Sequence, residues 1–151
     1  MRAFSFIPLL LCTMILPAMA QDGFSTTASV ASVSVADLLS AKKESWIGQP
    51  IMLRNVQVRD VTRRQAMWVG TSPEQMILIT MPAIVRPLYS DGRQAQLNKG
   101  DIVTVNGVVQ TAPLPHQLRE GWGVDRVDAE VVQTTGVILN GLHIEVVQSS
   151  R

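Results

Sequence analysis

Apolar and polar positions change period several times along this chain, and the changes mark out its elements. From Val35 the spacing is helical: Ser34 is placed to cap, Val35, Leu38 and Leu39 share a face, and Trp46 and Ile47 fall near the end, where Gly48 and Pro50 stop the helix. The period then drops to two. Ile51 and Leu53 alternate, Val56 and Val58 alternate in the opposite parity, and the slip at Arg54 and Asn55 predicts a β-bulge in one long strand. After a polar turn over 60–65, segments 66–70 and 75–81 predict two short strands separated by Thr71, Ser72 and Pro73. Residues 82–98 hold Pro87, Asp91 and Gly92, which predict an irregular connector with room for one helical turn.

The clearest strand is 99–110, where Val103, Val105 and Val109 share a parity and Gly107 predicts a bulge or sharp bend. Residues 111–124 contain Pro113, Pro115, Gly121 and Gly123 and predict a long loop. Val124, Val127 and Val131 are spaced for a short helix over 125–133, and Leu142, Ile144 and Val146 for a last strand. Asn140 and Gly141 between apolar runs equally suit a hairpin turn, which leaves 125–139 open between helix and hairpin strand.

Upstream of these elements, residues 1–20 have the pattern of a secretory signal: Arg2, an uncharged and mostly apolar run over 3–16, then Ala18, Met19 and Ala20 as a small-x-small cleavage site. Cleavage between Ala20 and Gln21 is expected, with a periplasmic or secreted mature chain and no transmembrane segment after processing. A retained anchor is the alternative. Cys12 lies inside the apolar run rather than at its end, which argues against a lipoprotein. Residues 21–34, rich in Ser, Thr and Ala, predict a flexible tether, and 35–148 a single domain with one core.

Cleavage changes the charge and the chemistry together. The full chain has 13 basic and 12 acidic residues, and the leader removes Arg2 alone, so the mature chain is formally neutral. Neutrality makes general nucleic-acid binding an unfavoured role, since phosphate neutralisation supplies most of such affinity. Loss of Cys12, the one cysteine, excludes disulfides, thiolate metal sites and cysteine nucleophiles. With aromatic residues at 5%, the core must be built from Val, Ile, Leu and Met.

The order of these elements follows that of an OB-fold, an all-β five-stranded Greek-key barrel with minor helix, here preceded by a short N-terminal helix. Trp46, Gly48 and Pro50 leading into 51–58, then 67–70 (MWVG) and 99–109, resemble the bacterial secreted OB-fold proteins of unknown function. The resemblance implies the barrel and leaves the ligand open. Leu114, Pro115, Arg119, Glu120, Gly121, Gly123 and Val124 resemble a stretch of the cytochrome c maturation haem chaperone, also a periplasmic OB barrel. That family carries haem on a histidine followed four residues later by a tyrosine near its C-terminus. The tail 145–151 has neither, so the match is taken as a coincidence of loop sequence.

No His-Glu-x-x-His, Gly-x-Ser-x-Gly or phosphate-cradling loop is present, so the sequence predicts no catalysis, no cofactor and no metal site. The leading expectation is an exported binding module whose partner is an unknown protein or oligomeric ligand of the cell envelope. The alternative is single-stranded nucleic acid or anionic glycan, held through Arg59, Arg63 and Arg64 in the turn between the first two strands, with Trp68 as a stacking platform. Against that, the arginines would simply solvate the turn and Trp68 would fill the barrel. His116, Arg119 and Trp122, in the predicted loop, complete the candidate ligand-binding set, and haem or metal handling through His116 is a weaker alternative. His143 is expected on the solvent face of the last strand, and Asp125, Asp128 and Glu130 on a solvated polar face.

Overall fold

A computed structural model describes residues 30–151; the predicted signal segment and residues 21–29 of the tether lie outside them. In chain order the elements are β1 (Ala31–Ser32), α1 (Val35–Leu39), a 3-10 turn (Lys43–Trp46), β2 (Pro50–Val61), β3 (Ala66–Ser72), β4 (Gln75–Thr80), β5 (Leu88–Tyr89), β6 (Ile102–Thr111), α2 (Pro115–Trp122), α3 (Arg126–Thr135) and β7 (Val137–Gln148). Five strands close a ring. Antiparallel pairs β2–β3, β3–β4, β2–β6 and β6–β7 supply most of it, and the parallel β4–β7 contact, Ile79 with Leu139 and Thr80 with Asn140, completes it. The result is an uneven, OB-like barrel to which β1 and β5 add short parallel extensions on β2 and β7.

The ring closes because β2 bends. Its partners change from β6 to β3 along its length, and the register with β6 shifts between Leu53 and Val56, where Asn55 has φ 51°. The predicted bulge thus lies where the hydrophobic parity slips: Leu53 and Val56 both point inward, and Arg54 and Asn55 both outward. Gly107 occupies the other predicted irregularity, where the β6–β7 register shifts. That shift inserts Leu142 as an extra residue, so Leu142 is exposed instead of continuing the buried face of Ile144 and Val146.

Several expectations fail for identifiable reasons. Ser34 caps α1 with a reciprocal box, its hydroxyl accepting from the Asp37 N–H while Asp37 accepts from the Ser34 N–H, both at 3.2 Å. The helix nonetheless stops at Leu39 rather than reaching Trp46, because Ser40 turns extended and donates its hydroxyl to the Asp37 carbonyl at 2.7 Å. Ordered backbone begins before Val35: Ala31 and Ser32 pair with β2, and Val33 is buried. The connector 82–98 adds the strand β5 after a single tight turn, in which the Val85 N–H donates to the Pro82 carbonyl at 2.9 Å. The predicted loop 111–124 contains α2, with Pro115 in its first turn and Gly123 as its left-handed C-cap at φ 66°. For 125–139 the helix prevails, ended by Gly136, and β7 runs straight through Asn140 and Gly141 without a hairpin.

Among the described residues two hydrophobic clusters stand where one was expected. The barrel interior takes Ile51, Leu53, Val58, Met67, Val69, Ile77, Ile79, Val103, Val105, Leu139 and Ile144. The alternate residues Ala66, Trp68, Leu78 and Ile138 form a second cluster with Leu118, Ala129 and Val132 of α2 and α3. The helices therefore roof the outside of β3, β4 and β7. Lys43 fastens the roof from below, donating to the Thr135 carbonyl at 2.5 Å, a cation placed at the C-terminal end of α3.

Asp101 holds the C-terminal tail. Fully buried, it accepts from the Asn98 N–H at 2.8 Å, the Ser150 N–H at 2.7 Å and the Ser150 hydroxyl at 2.9 Å. Burial pushes its carboxyl up, but these donors outweigh burial and hold it below the ordinary 3.8. A lowered folded pKa stabilises above the unfolded value and loses that contribution as pH falls through the folded value. Asp101→Asn is expected to lose about 2 kcal/mol at neutral pH. The gap from wild type should narrow below about pH 4 in thermal melts across pH; a gap independent of pH would contradict the role.

Candidate functional site

The turn between β2 and β3 is brought against the end of α2 by Thr62. Its hydroxyl donates to the Trp122 carbonyl at 2.8 Å and accepts from the Ala66 N–H at 3.2 Å. Arg64 then reaches across, donating to the Glu120 carbonyl at 2.5 Å while its aliphatic stem packs beside Gly123. A concavity of about 600 Å³ results, lined by Arg64, His116, Arg119 and Arg126 together with Glu120 and Asp125. Arg126 opens α3, and its Nε lies 3.6 Å from Glu130. Three arginines and a histidine from three elements thus line one hollow, with two acidic residues among them.

Arg59, Arg63 and Arg64 do not form one patch. Arg59 donates its Nε to the Gly70 carbonyl at 3.1 Å and a terminal nitrogen to the Thr71 carbonyl, which fixes it to the end of β3. With Lys99, Trp68 and Met76 it borders a separate hollow of about 450 Å³. Arg63 is exposed between the two, in a hollow of about 400 Å³ shared with Asp60, Asp125 and Asp128.

Trp68 is neither a stacking platform nor a barrel residue. It is 3% exposed, lies in the cluster under α2 and α3, and donates its indole N–H to Asp128 at 3.1 Å. Burial, helped by the negative charges of Asp125 and Asp60, holds the Asp128 carboxyl above its ordinary range despite that bond. Asp125 in turn caps α3, accepting from the Asp128 N–H at 2.8 Å, so these acids are structural and not merely solvated. Trp122 is half-buried against the same cluster rather than free.

His116 is exposed on α2, in a helix instead of a loop, and His143 is exposed on β7 as expected. Among the described residues, no three His, Cys, Asp or Glu side chains group to hold a metal ion. None of the helices is long and apolar enough to cross a membrane among the described residues. Arg126 is the contributor that sequence reasoning missed. Its signal was the Asp125 cap, which places the next residue at the head of a helix.

No family model and no curated protein matches this chain. Among solved structures it is similar to a putative aspartyl-tRNA synthetase from Leishmania major Friedlin, with a TM-score of 0.50 and 12% identity over 85% of this chain and 23% of that one. It is also similar to the aspartyl-tRNA synthetase of Entamoeba histolytica, with a TM-score of 0.46 and 10% identity over 99% of this chain and 29% of that one. The chain spans less than a third of either synthetase's length. The first likeness agrees with an OB-like barrel and extends to the fold alone.

Proposed function

We propose that the chain is an exported OB-fold binding module without catalytic activity, which holds single-stranded nucleic acid in the hollow between α2, the head of α3 and the turn before β3. The observation that carries this is the convergence of Arg64, Arg119, Arg126 and His116 on one open surface. Formal neutrality of the mature chain argued against a general binder, yet affinity follows the local field, and here basic groups outnumber acidic ones. The fold neighbour with the higher score is named a tRNA synthetase, which favours nucleic acid over glycan as the anionic ligand. Roofing of Trp68 removes one stacking surface, so phosphate contacts would dominate and sequence preference would be weak. Export is supported by the leader pattern of residues 1–20.

Fluorescence anisotropy with a labelled single-stranded oligonucleotide tests this. Binding should weaken with salt, and Arg64→Ala with Arg119→Ala should lower affinity about tenfold or more, reducing the log–log salt slope by about 0.7 per lost contact. Absence of binding at low salt would end the proposal. Tighter binding of an anionic glycan than of the oligonucleotide would transfer the site to that ligand.

A further inference from the structure

A second polar surface lies on the other side of the barrel, where no helix of the described residues covers the strands. Its centre is β6, whose inward residues Val103, Val105 and Val109 are fully buried and whose outward residues include Thr104 and Asn106. The register sets Met52 and His143 on either side of Asn106, and Glu145 beside Thr104. Opposite Thr104 comes the bulge of β2 with Arg54 and Asn55. Both flanking strands carry an extra residue here, and each irregularity turns two successive side chains outward: Arg54 with Asn55, and Leu142 with His143. A concavity of about 340 Å³ results, at the small end of the range for ligand sites.

Its polar groups are incompletely used. Asn106 Oδ1 is buried and has no hydrogen-bond donor among the described residues, a situation that native proteins seldom leave without a ligand or water. Arg54 has the Met52 sulfur as its neighbour, with Nε at 3.0 Å, which is a weak acceptor. Neither Arg54 nor Glu145 forms an ion pair among the described residues. They stand on strands either side of β6, two strand spacings or about 10 Å apart, so a small molecule between them meets opposite charges at its two ends.

We propose that this face binds a small α-aminocarboxylate zwitterion, a free amino acid. The ammonium group has three protons to donate, and Asn106 Oδ1, the Glu145 carboxylate and the Thr104 hydroxyl are three acceptors on adjacent positions. The ligand carboxylate takes the Arg54 guanidinium, which leaves the Met52 sulfur, and the Asn106 side-chain amide turns to present Oδ1 to the ammonium group. A cation alone would meet Arg54 unfavourably, and an anion alone would meet Glu145. Each end therefore selects against ligands lacking the other.

Glycine titrated into the ¹⁵N-labelled mature chain tests the assignment. Saturable shifts are expected in the amides of Thr104, Asn106, His143 and Glu145. Glu145→Gln and Arg54→Met, both substitutions at surface strand positions, should each weaken binding about tenfold. Methylammonium and acetate, which carry one end each, should bind at least as weakly to wild type as glycine does to the variants. Absent or unsaturable shifts, shifts confined to other strands, or an equal response to either single-charge probe would overturn the proposal.

Discussion

Replacing Trp68 with alanine is expected to destabilise the protein by about 4 kcal/mol, the range for removing a large aromatic from a packed cluster. The indole fills the space between the outer face of β3 and the helical roof, with Leu78, Leu118, Ala129 and Val132 in the same cluster. Its loss would also leave Asp128, already held above its ordinary range by burial and two neighbouring carboxylates, without its indole donor. Trp68→Phe keeps most of the apolar contact and removes only the N–H, so it should lose about 1–2 kcal/mol. Urea denaturation of both variants, followed by circular dichroism, reads this ranking. If the alanine variant stays within about 1 kcal/mol of wild type while oligonucleotide binding falls, Trp68 is a ligand platform and the roof does not close over it.

Gly107→Val should be nearly as damaging, at about 3 kcal/mol. A Cβ at this position would stand 2.4 Å from the Asn140 carbonyl oxygen and 3.0 Å from its carbon, both backbone atoms of the paired strand. Backbone cannot rotate aside, so β6 and β7 would have to separate where they carry the longest ladder of the barrel. Gly141→Ala is the informative comparison. Its Cβ would come within 3.0 Å of the Ile79 side chain, which can adjust, and the loss should be the smaller of the two. Equal thermal stability of wild type and Gly107→Val would show that the close approach of these strands does not constrain the barrel.

The barrel was legible because its signals are local. A parity slip at Arg54 and Asn55, a glycine amid the valines of 103–109 and a capping serine at Ser34 ahead of Val35 each report on their own segment. The roof was not, although its marks were present. Pro115 and Gly123 punctuate 111–124 as a loop would be punctuated, yet they stand at the two ends of a helix, where a missing N–H and a positive φ are tolerated. The unbroken apolar runs 66–69 and 76–79 were a further sign, since strands covered on both faces lose their alternation.

The basic site shows the same division. Arg59, Arg63 and Arg64 are neighbours in sequence, and strand alternation and the turn distribute them over three hollows. Arg64 is distant in sequence from Arg119 and Arg126, and only the docking of α2 against Thr62 brings it to them. Clustering along the chain was a poor guide here because side-chain direction changes with each residue, while helix docking is a tertiary event.

The meeting of β4 and β7 has a dynamic consequence. Four of the ring's five junctions are antiparallel ladders, and this one rests on two parallel residue pairs. Strand separation there breaks few backbone hydrogen bonds and leaves the β2–β3–β4 and β2–β6–β7 ladders intact, so the apolar roof that joins Leu78 to Ile138 is what holds the seam against opening. Loss of that roof would bring the Ile79 and Leu139 side chains toward water, and amide exchange in this ring would then begin there while the Val103–Val109 stretch of β6 stayed protected.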